Sequence, residues 1–204
     1  NQVMYMLELR KRLQAVEEEQ REQTKKRNKL LYQSEHDELT GLYNKRSLNR
    51  YLEDVFEACK LNEKELGILF LDIDYFKQLN DRYGHGKGDE GICAVADTLK
   101  RIFPEDYVAR YGGDEFLVVM TGRDLTYVME HAESLCAGIR ECKIPNEDSE
   151  VESWLTISVG GVCAIPKEPN RVWDFLSAAD NTLYEQKKEQ KGKVRFYQGE
   201  GKYL

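Results

Sequence analysis

The sequence has little of what marks membrane, secreted or metal-cluster proteins. Its 204 residues contain no apolar run of transmembrane length and no signal peptide. Three histidines and five cysteines are present, and no C-x-x-C pair or paired histidine spacing occurs among them. These absences exclude a zinc-finger-like domain and a membrane span in this sequence, and they predict reduced thiols in a cytoplasmic domain.

Negatively charged residues outnumber positively charged ones. The chain carries 30 lysines and arginines against 37 aspartates and glutamates, so its formal net charge is -7. Such a surface repels a polyanion, which argues against nucleic acid as a partner. A small phosphorylated ligand held at a local basic site is compatible with this balance. The length allows one ordinary domain and an extension.

The first 36 residues are charged, lack glycine and proline, and predict a helix. A heptad frame gives a seam whose first four positions are apolar and whose next four are mostly polar. The apolar positions are Met6, Leu9, Leu13 and Val16. A short parallel coiled coil that frays towards the domain and a solvated helix lying on its own domain both fit. Either way we expect a connecting element without chemistry, and, since the chain begins with asparagine, a part of the protein upstream of it.

After this helix, predicted helices and strands alternate. Residue Asn44 suits the N-cap of a helix, and the apolar run Leu66–Ile73 predicts a buried central strand. The pattern predicts an α/β fold, in the α+β sense, with a mostly antiparallel sheet. The predicted helices are 44–60, a short helix from 75, 90–103, 125–142 and 172–191, and the predicted strands are 66–73, 107–111, 116–120, 155–162 and 194–197.

A pair of glycines separates two of these strands. Gly112 and Gly113 predict a tight hairpin, because glycine takes positive φ without steric cost. Two carboxylates, Asp114 and Glu115, follow the turn directly. Acidic residues are poor strand formers, so another property must explain them at this position. A bound cation and a solvated hairpin tip both fit, and the hairpin alone does not choose between them.

The predicted central strand also ends in acids. Asp72 and Asp74 lie two residues apart, which places both on one face. Asp74 suits a cap for the following helix, whereas Asp72 lies inside the strand, where a bare carboxylate is costly unless it is paired or binds a metal. The next residues, 75–77, begin a short helix whose free amides suit an anion.

Residues 80–89 form a polar, glycine-rich segment that predicts a turn. Its Asn80 and Asp89 suit two roles, which are capping of neighbouring helices and recognition of a guanine edge. Taken alone, the two residues favour capping. Near the other end of the chain, Lys187 and Lys191 are four residues apart, so the predicted last helix places both on one face.

Five motifs occur in order after the N-terminal helix. They are Asp37–Leu42 with Asn44 and Arg46, Asp72–Lys77 with Asn80 and Asp81, Tyr83–His85 with Gly88 and Asp89, Gly112–Phe116, and Ala179–Asp180 with Leu183, Tyr184 and Lys187. Each motif is weak alone, but the five in order resemble the GGDEF domain family of diguanylate cyclases, from about Asp37 to the C-terminus. The resemblance implies a palm-like, nucleotide-cyclase-type sheet of five strands with flanking helices, preceded by an N-terminal signalling helix.

The resemblance also implies a reaction and a site. Two GTP molecules are condensed into cyclic di-GMP with release of two pyrophosphates, and Mg²⁺ or Mn²⁺ assists. The implied metal ligands are Asp72, the Ile73 carbonyl, Asp114 and Glu115. The implied catalytic residues are Asp72, Lys77, Asp114 and Glu115. The implied GTP-binding residues are Tyr75, Phe76, Lys77, Asn80, His85, Asp89, Gly112, Gly113, Lys187 and Lys191.

The same resemblance implies a homodimer, because each domain binds one GTP and the reaction joins two. Residues 1–36 would then be a coiled-coil linker from an upstream sensor, and residues 37–204 the cyclase domain. The expected location is the cytoplasm, with a membrane involved only through an upstream part. No nucleic-acid partner is expected.

Two positions depart from the family pattern. The family's inhibitory product site is an R-x-x-D set before the hairpin, and here Asp106 is present but Phe103 replaces the arginine, so we expect weak or no product inhibition at this place. Lys191 stands where arginine is commoner, and a lysine loses the bidentate phosphate contact. The alternative function is a catalytically silent GTP-binding module that acts through protein partners. A receptor for cyclic di-GMP is disfavoured by Phe103.

Overall fold

The computed structural model describes residues 2–199, and the chain divides into two compact units, residues 1–36 and 37–204. Residue 1 and residues 200–204, the outer ends of the two predicted segments, lie outside the described residues. The first unit is a single helix, α1 (Gln2–Glu35), in which no residue is buried. No described helix is long and apolar enough to cross a membrane. The predicted N-terminal helix is confirmed.

The second unit alternates strands and helices. Its helices are α2 (Lys45–Leu61), α3 (Phe76–Tyr83), α4 (His85–Ile102), α5 (Leu125–Glu141) and α6 (Val172–Glu189). Its strands are β1 (Tyr43–Asn44), β2 (Leu66–Ile73), β3 (Tyr107–Gly112), β4 (Glu115–Thr121), β5 (Ile157–Ala164) and β6 (Val194–Phe196).

The strands form one six-stranded mixed sheet in the order β1-β3-β4-β2-β5-β6. The four inner strands pair antiparallel, whereas the edge strands β1 and β6 pair parallel to their neighbours. The predicted α+β fold with flanking helices is confirmed, but the expected strand count of five is wrong. The strand that the sequence pattern misses is β1, because two residues are too few for a period-two signal.

The central strand β2 is buried on both faces of the sheet. Since alternate side chains of a strand point to opposite faces, Leu69 and Leu71 pack in one core with α4 and α5, whereas Ile68 and Phe70 pack in a second core with α2 and α6. This arrangement explains why the strand reads as a continuous apolar run. The polar residues at its end are therefore held on a rigid scaffold.

The glycine-rich segment 80–89 is helical, so the predicted turn is wrong. Helix α3 continues to Tyr83 and α4 begins at His85, with Gly84 between them at φ 85°. The break thus needs one glycine in a conformation that other residues rarely adopt. Gly88 lies inside α4, where its missing side chain leaves room for Asn80 of the neighbouring helix.

The ends of two other helices test two sequence predictions. The Asn44 side chain accepts a hydrogen bond of 3.0 Å from the Ser47 amide, which confirms the predicted N-cap of α2. Helix α6 ends at Glu189, and Gln190 is extended at φ -161°. The prediction that Lys187 and Lys191 share a helix face is therefore wrong, because Lys191 lies beyond the helix.

Candidate functional site

The two acidic segments lie side by side in the sheet. In the β2–β4 pairing, Asp72 stands opposite Glu115, and the Ile73 amide donates a hydrogen bond of 3.3 Å to the Asp114 carbonyl. The hairpin is formed as predicted, with a bulge in β3 and Gly113 at φ 54°. Long-range pairing thus brings together acids that are more than forty residues apart in the sequence.

The Asp72 carboxylate has a cationic partner, Lys187. The Lys187 ammonium on α6 donates to its Oδ1 at 2.5 Å, and the two side chains are 26% and 18% exposed. Burial raises the pKa of Asp72 to about 6, and the charges of Asp114 and Asp74 add to the rise although Lys187 opposes it. The carboxyl group is therefore short of positive charge even with its lysine in contact.

The second hairpin acid, Glu115, lies in a similar field. Burial raises its pKa, the charges of Asp114 and Asp180 raise it further, and Lys45 and Lys187 lower it. Lys45 begins α2, and its ammonium lies 3.9 Å from the centre of the Tyr111 ring. Sequence reasoning did not assign Lys45 or Asp180 to the site, although Asp180 belongs to the last of the five motifs and Lys45 lies between two residues of the first.

The donor atoms at this place fit a hard divalent cation. Among residues 2–199, no three histidine, cysteine, aspartate or glutamate side chains converge as a metal-binding group. A metal here would therefore take few protein ligands, from Asp72, Asp114 and the Ile73 carbonyl, and complete its shell with ligand oxygens. That oxygen-only set with open positions is typical of Mg²⁺ in nucleotide sites. The raised pKa of Asp72 fits the same conclusion, because a bound cation would stabilise its ionised carboxylate.

Asp74 does not cap the following helix, so that prediction is wrong. Its side chain is fully buried and accepts hydrogen bonds from Thr156 Oγ1 at 2.9 Å and Ser158 Oγ at 2.6 Å. The Asn146 amide also donates to the Asp74 carbonyl at 3.3 Å. These contacts anchor the segment between β2 and α3 to the neighbouring strand β5.

The start of α3 matches the expected anion site in its backbone. Tyr75 takes the left-handed conformation (φ 53°, ψ 33°), and no side chain of the described residues caps the helix that begins at Phe76. Free amides at a helix start are suited to phosphate oxygens. Lys77 follows in the first turn with an exposed side chain, and His85 is exposed at the start of α4.

Asn80 and Asp89 are placed on the adjacent helices α3 and α4, and neither is a helix cap. The capping interpretation is therefore wrong. Asn80 Oδ1 is buried without a hydrogen-bond partner among residues 2–199, and a side chain on Gly88 would stand 2.0 Å from it. A buried acceptor without a partner costs free energy unless a ligand supplies the donor. The guanine edge has such donors.

Lys191, which lies beyond α6, is still close to the start of α3. Its ammonium stands 3.8 Å from the centre of the Tyr75 ring, and the Tyr75 hydroxyl donates to Glu150 at 3.0 Å. The structure thus keeps Lys191 beside the segment that carries the free amides, through a contact that no sequence pattern indicates.

A partly buried arginine connects the hairpin to the first motif of the second unit. Arg110 donates two hydrogen bonds to the Gly113 carbonyl, at 2.9 and 2.7 Å, and pairs with Asp37 at 3.1 Å. Burial opposes ionisation of Asp37, but hydrogen bonds from Thr40 and Arg110 bring its pKa below the ordinary value. Sequence reasoning missed this connection, because it depends on contacts across more than seventy residues.

The position of the missing product-site arginine is occupied by core. Phe103 is 1% exposed and packs in the cluster below α4 and α5. Asp106 is partly buried, which raises the pKa of its carboxyl, and the charge of Arg123 opposes the rise. Because a buried phenylalanine stands at this position, the expected weak or absent product inhibition stays a prediction.

Comparisons with known proteins identify the family of the chain. A family model described as "Diguanylate cyclase, GGDEF domain" matches residues 34–193. The probable diguanylate cyclase DgcC of Escherichia coli K12 is 32% identical over 163 residues, which cover 79% of this chain and 43% of DgcC.

Two solved structures are similar in fold. The coiled coil and GGDEF domain of DgcB from Caulobacter crescentus, in complex with c-di-GMP, has a TM-score of 0.82 at 24% identity, covering 92% of this chain and 98% of that one. The active GGEEF domain of a diguanylate cyclase from Vibrio cholerae has a TM-score of 0.69 at 25% identity, covering 77% and 98%.

The chain therefore belongs to the GGDEF family of diguanylate cyclases, as its motifs indicated. It spans 43% of the length of DgcC. Diguanylate cyclases of this family work with a divalent metal ion and GTP as substrate.

Proposed function

We propose that this chain is the catalytic part of a diguanylate cyclase, which condenses two GTP into cyclic di-GMP and releases two pyrophosphates. The observation that carries the proposal is the convergence of Asp72, Asp114 and Lys187 beside free helix-start amides. Carboxylates for a cation, a lysine and free amides for phosphates are the parts that phosphoryl transfer needs. Family membership supports the same reading.

The proposed metal is Mg²⁺ or Mn²⁺, held by Asp72, the Ile73 carbonyl and Asp114, with Glu115 assisting. When bound, such an ion neutralises charge that develops on the phosphate oxygens. Lys187 donates to Asp72 at 2.5 Å, and a cation bound at Asp72 would free its ammonium for the phosphates. Glu115, whose pKa is raised, is the proposed acceptor of the attacking hydroxyl's proton.

The rest of the GTP would lie along α3 and α4. The amides of residues 75–77 and the Lys77 side chain are proposed to hold the β- and γ-phosphates, with help from Lys187 and Lys191. Asn80 and Asp89 would read the guanine edge, and His85 is assigned to the same ligand. At the hairpin, a side chain added to Gly112 or Gly113 would meet no other atom of residues 2–199 within 4 Å, which leaves room for the nucleotide.

The active species is proposed to be a homodimer, since each chain has one such site and the second 3′-hydroxyl must come from another GTP. Residues 1–36 are proposed as a coiled-coil linker between copies, because none of the residues in α1 is buried. They would connect the cyclase domain, residues 37–204, to an upstream sensor. We place this part of the protein in the cytoplasm, with any membrane attachment upstream.

The test is incubation of the protein with GTP and Mg²⁺, followed by chromatographic separation of the nucleotides. Cyclic di-GMP and pyrophosphate in a ratio of one to two are expected from the wild type, and no product from the Asp114→Ala variant. A wild type that binds GTP but forms no product, even when two copies are fused to a strong dimerising coiled coil, would favour the silent GTP-binding module instead.

A further inference from the structure

Lys191 is poorly fixed by its own backbone. Helix α6 ends two residues before it, and the next residue, Gln190, is extended. A lysine on such a segment has many rotamers, and binding a phosphate would cost the entropy of choosing one. A feature that holds the ammonium near the phosphates beforehand would lower that cost.

The Tyr75 ring is such a feature. The Lys191 ammonium lies over it at 3.8 Å from the ring centre, within the range of a cation–π contact. Tyr75 belongs to the segment whose amides start α3, so the ring presents the ammonium next to the proposed phosphate site. The contact is weaker than an ion pair with a phosphate, so the ammonium stays available to the ligand.

Tyr75 itself needs support, because a non-glycine residue at φ 53° is disfavoured. Its hydroxyl donates to Glu150 at 3.0 Å, which ties it to the loop 146–152. Burial and the Glu150 carboxylate raise the pKa of the phenol, so the hydroxyl remains a donor.

The loop 146–152 is in turn attached at three places. Asn146 is fully buried and bonds the Asp74 carbonyl, Arg82 at the end of α3 pairs with Asp148 at 2.6 Å, and Arg140 pairs with Glu152 at 2.7 Å. The loop therefore contacts the segment before Tyr75 and the helix after it. That double attachment fixes the orientation of the ring.

We infer that Tyr75 is a positioning residue for nucleoside triphosphates: its ring holds Lys191 at the γ-phosphate, and its hydroxyl bond to Glu150 supports the ring. The inference rests on the proposed function for the identity of the ligand. The ring would supply to Lys191 part of the preorganisation that the planar guanidinium of an arginine has by itself.

The experiment compares Tyr75→Asn, which tolerates the left-handed backbone but removes the ring, with Tyr75→Phe, which keeps the ring. Binding of a non-hydrolysable GTP analogue and of GDP is measured by calorimetry in Mg²⁺. Tyr75→Asn and Lys191→Met should each weaken binding of the analogue by about five- to tenfold, and the double variant should be no weaker than either single one. GDP binding should change by less than about twofold.

Three controls sharpen the result. Tyr75→Phe should stay within about threefold of the wild type, and Lys191→Arg should make analogue binding insensitive to Tyr75→Asn. Lys188→Met removes a lysine that lies over the Tyr184 ring at 4.0 Å on α6, and it should leave binding unchanged. If Tyr75→Asn does not fold, as judged by circular dichroism, Tyr75→Gly, which removes the ring and is unstrained at φ 53°, takes its place in the same comparison.

Additive losses in the double variant, or equal losses for GTP and GDP, would overturn the inference. A wild type that binds neither nucleotide would overturn it as well. The proposed function fails separately, when the nucleotide-binding pattern is as expected but no cyclic di-GMP is formed.

Discussion

The two units of this protein differ in how much of their surface is buried. Helix α1 has 34 residues and none is buried, so it gains nothing from tertiary packing within the described chain. In the second unit, strand β2 is buried on both faces and each of its neighbours is fixed by pairing. Catalysis requires side chains held in place to within fractions of an ångström, and only the packed unit can do that. We therefore propose that helix α1 serves assembly and takes no part in the chemistry.

The side-chain environments in the two units also differ, and they suit different functions. Asp72, Glu115 and Lys187 are partly buried, and one of them has a strongly shifted pKa. The side-chain contacts within α1 are exposed pairs such as Arg12 with Glu8. Substitutions at the site of the second unit should therefore lower the rate of the reaction. Substitutions in α1 should weaken assembly instead.

The largest effect is expected from Asp114→Ala. Loss of a proposed metal ligand should lower the rate of cyclic di-GMP formation by about a thousandfold, or about 4 kcal/mol in the barrier. The thermal unfolding midpoint should move little, because the residue sits at a hairpin turn. Product formation above a tenth of the wild-type rate would contradict the metal assignment.

Asp72→Asn should inactivate the protein and, without metal, stabilise it in a pH-dependent way. The folded pKa of about 6 lies above the ordinary 3.8, so the ionised carboxyl costs stability. That cost is absent below about pH 4, develops between pH 4 and 6, and is complete above. At pH 8 the variant should gain up to about 3 kcal/mol, a figure that already includes the Lys187 pair, because that pair lowers the same pKa. Urea melts at pH 4.5 and 8 measure this, and an equal gain at both pH values would contradict it.

Arg110→Gln should destabilise the second unit by about 2 kcal/mol, since it leaves the Gly113 carbonyl and the partly buried Asp37 without their cationic partner. Cyclic di-GMP formation should fall severalfold, because the hairpin loses its tether. Arg123→Gln is the matched control: its pair with Glu105 is exposed, so the change should stay within about 0.5 kcal/mol. Equal losses in the two variants would remove the special role of Arg110.

The double substitution Leu9→Glu with Leu13→Glu tests the helix. Both side chains are about half exposed or more, so folding of the second unit should be unchanged. Dimerisation should weaken, and activity at micromolar concentration should fall about tenfold. Sedimentation and activity against concentration measure the two effects. Lys11→Glu, which changes the charge on the helix face opposite the seam, is the control and should behave as the wild type.

The smallest effect is expected at the former product site. Asp106→Ala should not change inhibition by cyclic di-GMP, because buried Phe103 offers no guanidinium. Inhibition curves for the wild type and the variant should coincide. Tight cyclic di-GMP binding that disappears in the variant would show that the site works without its arginine.

Much of the fold could be predicted from the sequence, because its signals are local. The buried strand β2, the hairpin after Gly113 and the Asn44 cap each depend on a few consecutive residues. The failures have local causes as well. Strand β1 is too short to show a period, and the glycines of 80–89 indicated a turn where one residue, Gly84, makes the break.

The sequence by itself determined the family, the order of strands and helices and the acids that converge at one end of the sheet. Tertiary structure decided their partners: Asp74 is buried between two hydroxyls, Asp72 pairs with Lys187, and Lys191 lies on Tyr75. These contacts join side chains 82 to 116 positions apart. A periodic pattern encodes which face a residue takes, but a partner across such a distance is fixed only when strands pair and helices pack.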